Sequence, residues 1–296
     1  METKPGGPAG PAPRPTAGGL GRVVSAELVF TVAEPAEVVL SIAAAHGPRV
    51  LAERLAATTS GSTPVSSPTE LAAPHGGRLH LVTAPPGELS VSYRAELEAA
   101  PAAAPTDPPP AGDDAVTLEQ LIYLRPSRYC PSDHVAGFAV AEFGHLPRGR
   151  AQVDAIADWI WRRIEYVPGS SAVHDSAEDT MLTGRGVCRD FAHLGVMLSR
   201  ALQIPARFTA VYAPGLAPMD FHAVFEAWLD GAWQLYDATR LVPRPSLVRI
   251  ATGRDATDAA FADIPQGIVT LQSIEVTATS AGDLPVDDHT STIVLG

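Results

Sequence analysis

From Val23 to residue 99, apolar and polar positions alternate with a period of two. The runs VVSAELVFTV and AEVVLSIAAA are rich in β-branched residues, and GRLHLVTAPPGELSVSYRAELEA repeats the pattern on either side of a Pro-Pro-Gly turn. Such alternation predicts half-buried antiparallel strands. The period changes after PAAAPTDPPPAGDD (101–114), a proline-rich stretch that reads as an extended linker. In RGRAQVDAIADWIWRRIEY, Val153, Ile156, Ala157, Ile160 and Ile164 recur at helical spacing. Ser176 and Asp179 fit a capping box that opens a short helix, and Gly184 fits its stop. A further helix begins at Cys188, with Phe191, Leu194, Gly195, Leu198 and Leu202 as its buried stripe, and Ile204-Pro205 ends it. Three strands follow at 206–213, 221–229 and 232–238. Asp230-Gly231 joins the last two as a two-residue hairpin. A final strand-like run, IVTLQSIEVTAT, precedes polar residues that read as loose.

The pattern therefore divides the chain into a disordered Pro/Gly/Ala-rich tail (1–19), a β-rich N-terminal domain (20–100), the linker (101–114), an α+β domain (115–280) and a loose C-terminal tail (281–296). The chain has 296 residues, 46% of them hydrophobic, enough to bury a substantial core. Its net charge of -12, with no cluster of basic residues, argues against nucleic acid or an anionic membrane as partner. No run of 18 apolar residues occurs and the N-terminus has no apolar leader, so a cytoplasmic protein is expected. The two cysteines, Cys130 and Cys188, are expected as free thiols in a reducing compartment.

Candidate chemistry centres on Cys188. It sits at the predicted start of a helix, where unpaired N–H groups and the helix dipole favour a thiolate. Gly184 and Gly186 precede it, and Arg185 and Arg189 flank it with positive charge. A thiolate there would be a nucleophile and would need a base. His193 follows on a different face of the same helix and reads as a polar or core contact. His222 lies in FHAVFEAWL, sharing one strand face with Val224, Glu226 and Trp228.

A two-residue loop at Asp230-Gly231 pairs Leu229 with Ala232, which sets His222 opposite Thr239 and Val224 opposite Asp237. His222 and Asp237 then become diagonal neighbours on one face, roughly 7–8 Å apart, within reach of a carboxylate–imidazole contact. A bulged three-residue loop would separate them onto opposite faces. Glu226 lies on the same strand about 13 Å from His222, too far for direct contact. Cys130, Asp133 and His134 are too few for a zinc site, and no acidic loop has calcium-binding spacing. The absence of a Cys-x-x-Cys pair argues against thiol redox chemistry.

The blocks LRPSRYCPSD, GRGVCRDFAHLGVMLSRALQIPAR and DFHAVFEAWLDGAWQLYDATR, in that order, resemble the bacterial transglutaminase-like family, a branch of the papain-like superfamily of cysteine proteases and acyltransferases. The resemblance covers residues 118–255, with 34 residues from Cys188 to His222 and 15 more to Asp237. It implies a nucleophile helix packed on an antiparallel sheet, preceded by the small β-rich domain. It also implies that Cys188 is the nucleophile, His222 the general base and acid, and Asp237 the residue that orients His222. The implied reaction passes through a thioester formed from a peptide or carboxamide, with water or an amine as acceptor and no cofactor or metal. Hydrolysis by a protease or amidase is favoured over cross-linking; self-cross-linking could use only Lys4, so in any transfer the amine would come mainly from another molecule. The alternative is an inactive scaffold that keeps the fold. The Cys188 N–H can serve as one oxyanion donor; Trp161 and Tyr166 are candidates for the second, although either could be a core aromatic.

Overall fold

The computed structural model describes residues 21–47, 50–59, 65, 67–98 and 116–295. The expected N-terminal tail, and all but residue 65 of the stretch between 60 and 66, lie outside this range, as does the linker at 101–114. Six strands come first: β1 (Arg22–Val32), β2 (Ala36–Leu40), β3 (Val50–Thr59), β4 (Thr69–Ala72), β5 (Arg78–Ala84) and β6 (Gly87–Leu97). A helical segment follows with α1 (Leu118–Ile122), α2 (Ala136–Phe143) and α3 (Arg150–Arg163). After it come the short strand β7 (Glu165–Tyr166), α4 (Ala177–Thr183), the short strand β8 (Arg185–Gly186) and α5 (Cys188–Ala201). The chain ends with β9 (Ala206–Tyr212), β10 (Phe221–Leu229), β11 (Ala232–Tyr236), β12 (Val248–Gly253), β13 (Ala262–Gln266) and β14 (Val269–Ser280).

The alternation in the N-terminal strands does what a period of two requires. Val24, Ala26, Leu28, Phe30 and Val32 of β1 point inward, as do Leu89, Val91, Tyr93, Ala95 and Leu97 of β6. Both strands belong to the antiparallel sheet β14-β1-β6-β3, and a second, β13-β2-β5-β4, adds Val38, Leu40, Val82 and Ala84 to the same core.

Two of the expected boundaries are corrected by this topology. Strands β13 and β14 fall within the range that the sequence pattern gives to the α+β domain, but they pair with β2 and β1 and complete the N-terminal sheets. An edge strand with alternating apolar residues needs a partner, and the chain supplies it from the far end of the sequence. The C-terminal tail is not loose up to residue 295. The Arg244 guanidinium holds Asp287 at 2.8 and 2.9 Å with both residues' side chains buried, the Leu235 N–H donates to the Ile293 carbonyl, and Ile293 and Leu295 pack on Val211, Val224 and Leu235.

The α+β core is α5 laid against the antiparallel sheet β11-β10-β9-β12. Every α5 residue from Asp190 to Ala201 is buried, more than a single apolar stripe requires. Gly195 makes the close approach possible, since a Cβ there would come within 2.4 Å of the Phe225 ring. Asp230 and Gly231 both have positive φ, 52° and 81°, as a hairpin turn matched to strand twist demands. Leu229 pairs with Ala232 and Phe225 with Tyr236, the register the two-residue loop predicts. The core and the β-sandwich are joined by Tyr212, whose hydroxyl donates to the Ile42 carbonyl at 2.7 Å and whose ring stacks on Tyr93. Among the described residues, no helix is long and apolar enough to cross a membrane.

Candidate active site

The loop before α5 is built to present Cys188 at the helix start. Gly184 ends α4 with a positive φ of 68°, and β8 then runs parallel to β7 for two residues. The Val187 N–H donates to the Asp190 carboxylate at 2.8 Å, which caps the first turn. Asp190 lies so close to Gly186 that a Cβ there would come within 2.8 Å of it. Gly186 therefore makes room for the capping carboxylate rather than for the sulfur. Arg189 does not stand free beside the thiol either. Its guanidinium donates to Asp190 at 3.1 Å, to the Ser171 hydroxyl at 2.6 Å and to the Ala172 carbonyl at 2.7 Å, so it ties a neighbouring loop to the helix. Cys188 itself is half-buried, whereas Cys130 is fully buried and its thiol is pushed up to about 12 by that burial.

His222 enters from β10 and is 1% exposed. Its Nε2 lies 2.9 Å from Asp237 Oδ2. Its Nδ1 is buried with no hydrogen bond to another group among the described residues. Burial alone would lower the imidazole, but the Asp237 carboxylate and the Cys188 sulfur together raise it to about 10. Burial likewise works against the charge on Asp237, but His222 and Thr239 hold this carboxyl below the ordinary range. The structure thus brings Cys188, His222 and Asp237 together, with one ring nitrogen turned to the carboxylate and the other left for the thiol. A hydrogen-bonded carboxylate fixes the imidazole's tautomer and orientation, and a thiol on its far side can lose a proton to it.

The model of the transglutaminase-like superfamily matches residues 140–238. A crystal structure of a provisionally assigned cysteine protease from Cytophaga hutchinsonii is 35% identical to this chain, with a TM-score of 0.78, covering 90% of this chain and 93% of that one. The chain belongs to the transglutaminase-like superfamily. An uncharacterized protein of Mycobacterium leprae is 36% identical over 152 residues, 46% of this chain, and the match spans about half of that relative (52%).

Other candidate residues of this transglutaminase-like core have partners other than the thiol. Glu226 is fully buried and accepts from Arg207 at 2.7 Å, Thr209 at 2.9 Å and Arg249 at 2.9 Å, a closed ionic cluster. His193 stacks on Tyr129, accepts the Ala256 N–H at Nε2, and is kept neutral by burial, which lowers it to about 3. His134 faces Glu178 at 3.1 Å, apart from the buried Cys130. Among the described residues, no group of three or more His, Cys, Asp or Glu could hold a metal ion. Trp161 lies under the Arg240 guanidinium, 4.3 Å from its ring centre.

Sequence reasoning gives no role to Thr239, although the expected register sets it opposite His222; the ladder itself ends at Phe225–Tyr236. Its hydroxyl and N–H both donate to Asp237 Oδ1, at 2.7 and 2.9 Å, so Asp237 is held on both oxygens. A threonine two residues after an aspartate is the available signal, because that spacing favours a local side-chain turn.

Proposed function

We propose that this transglutaminase-like chain is a cysteine-dependent hydrolase or acyltransferase that cleaves peptide or carboxamide bonds, with Cys188 as nucleophile, His222 as general base and acid, and Asp237 as the group that orients His222. The observation that carries this reading is the buried His222–Asp237 contact of 2.9 Å, with Nδ1 left for a half-buried thiol at a helix start. With the thiol proton already held on Nδ1 of the imidazolium beside Asp237, the Cys188 thiolate adds to the substrate carbonyl carbon while the carbonyl π pair moves onto oxygen. The tetrahedral intermediate collapses, the C–N bond breaks, and the leaving amine or ammonia takes the proton back from His222. The thioester then reacts with water, activated by His222 in the same way, to give the acid and free thiol. An amine in place of water would give transfer.

We favour hydrolysis and a peptide or protein as acyl donor. The relative from Cytophaga hutchinsonii, itself provisionally assigned as a cysteine protease, supports that preference. Internal cross-linking would depend on Lys4 alone. A reducing compartment such as the cytoplasm suits two cysteines that are both free.

The test is intact-mass analysis after brief iodoacetamide treatment of wild type, Cys188→Ala and His222→Ala, followed by peptide p-nitroanilides and dansylcadaverine as substrates. The reading expects rapid labelling at Cys188, slower labelling without His222, and Cys188-dependent nitroaniline release with little amine incorporation. Slow labelling with no turnover would favour an inactive scaffold. Amine incorporation that outpaces hydrolysis would make the protein a cross-linker.

A further inference from the structure

Along β3 and β4 the sandwich core is not closed by apolar side chains. A cavity of about 490 Å³ lies there, between Glu53 and Leu55 of β3, Glu70 of β4, and Arg78 and His80 of β5. The alternation that buries Val82 and Ala84 also turns Arg78 and His80 inward, so two polar residues take core positions. A buried charge needs partners, and Arg78 has them. It donates to the two oxygens of Glu53 at 2.7 and 2.8 Å and to Glu70 at 2.6 Å. The Tyr93 hydroxyl donates to Glu53 at 3.1 Å and fixes that carboxylate further. Two carboxylates against one guanidinium leave the cluster with more negative charge than positive. Arg54 does not offset this, because alternation from Glu53 sends its side chain to the outer face of β3.

One acceptor lining this cavity has no donor. His80 is 5% exposed. Its Nε2 lies 3.2 Å from Glu70 Oε2, and a carboxylate only accepts, so Nε2 carries the ring hydrogen. Burial and the Arg78 charge lower the imidazole and keep it neutral. Nδ1 is then a bare acceptor, buried and without a hydrogen-bond partner among the described residues. The other Glu70 oxygen faces His46, 3.4 Å away and mostly exposed. Leu55 and Ala57 add an apolar wall beside these groups. We propose that this cavity binds a primary alkylammonium ion, whose N–H groups reach His80 Nδ1 and Glu70 and whose methylene chain lies along Leu55 and Ala57. An ammonium supplies what the cavity lacks, a positive charge and several donors on one small atom. A free diamine and a lysine side chain of another polypeptide share this chemistry.

Cys188, His222 and Asp237 do not line this cavity, so the site stands whether or not the thiol turns over. Its test uses the full chain carrying Cys188→Ala, in which no amine is consumed as an acyl acceptor. Isothermal titration calorimetry at pH 8 measures binding of cadaverine, of Nα-acetyl-lysine methylamide and of tetramethylammonium. Long-range proton–nitrogen NMR follows the His80 ring during the same titrations. Two further variants are compared in that background. His80→Phe removes the acceptor. Ala57→Phe fills the cavity and leaves the polar cluster intact, which keeps the test decisive should His80→Phe not fold.

The expected result is saturable binding of a primary amine with a shift of His80 Nδ1, and none of tetramethylammonium, which carries the charge but no N–H. Binding of cadaverine alone would identify the ligand as a free amine; binding of the lysine derivative alone would identify it as a polypeptide side chain. Affinity should fall about 10–100-fold in His80→Phe, the loss of one hydrogen bond from a charged donor, and at least as far in Ala57→Phe. The proposal is overturned if neither amine binds saturably, if tetramethylammonium binds as tightly as the primary amines, or if Ala57→Phe leaves their affinity unchanged.

Discussion

Thr239 offers a sharp test of how the buried acid is held. Its hydroxyl donates to Asp237 Oδ1 at 2.7 Å and accepts the Leu241 N–H at 3.3 Å. Valine fills nearly the same volume without the hydroxyl, so packing is kept and the hydrogen bonds are lost. A hydrogen bond to a charged group contributes about 1.5–3 kcal/mol. Asp237 retains the Thr239 N–H and His222, so Thr239→Val should destabilise the fold toward the lower end, about 1.5–2 kcal/mol. Less constraint on Asp237 also means less constraint on the His222 ring, and alkylation of Cys188 should slow. Urea unfolding followed by tryptophan fluorescence measures the first effect, and iodoacetamide kinetics measure the second. Thr239→Ser restores the hydroxyl and should recover most of both. The reasoning is refuted if Thr239→Val unfolds at the wild-type urea midpoint, or if serine does no better than valine.

The His222–Asp237 pair gives a pH dependence of definite sign. His222 is raised to about 10 in the fold, against about 6.5 when unfolded, so its contribution is fully present below about 6.5 and is lost as pH rises toward 10. Asp237 is lowered, so its contribution is present above about 3.9 and is lost as pH falls below that. The urea midpoint should therefore decline between neutral pH and pH 10, and His222→Gln should flatten that decline. Glu226→Gln should leave the buried Arg207 and Arg249 short of a counter-charge and cost about 3–5 kcal/mol in urea unfolding, with little effect on Cys188 alkylation while the protein is folded. Gly195→Ala should cost about 1–3 kcal/mol, because its Cβ would press on the Phe225 ring; an unchanged thermal midpoint would mean that α5 can shift off the sheet at no cost.

The parts of this site legible in the sequence are those set by local rules. Asp230-Gly231 fixes a hairpin register, and a register converts numbers along the chain into neighbours across it, which is why the sequence alone suffices to pair His222 with Asp237. The α5 start is legible because a glycine stop and an apolar period bracket it. What stays hidden depends on long-range contacts. Arg189 turns to Ser171 and Ala172, and nothing in its flanking residues says so. Tyr166 is set beside Gly186 by a two-residue parallel pairing too short to leave a pattern. Arg244 finds Asp287 across 43 residues, which gives a polar tail a fixed place.

The pairing of β1 with β14 has a consequence for the order in which the protein can be made. Among the described strands, β1 leaves the ribosome first and β14 last, and yet they are neighbours along their whole length. The first sheet therefore waits, with one edge unpaired, while everything that bears the thiol, the imidazole and the carboxylate is synthesised between its two halves. A chain halted between Asp237 and Val269 would carry Cys188, His222 and Asp237 while β1, whose backbone groups β14 later pairs, stood as an edge strand open to other chains. Only a chain translated through β14 can cover the edge of β1, and β14 then takes over as the outer strand of that sheet.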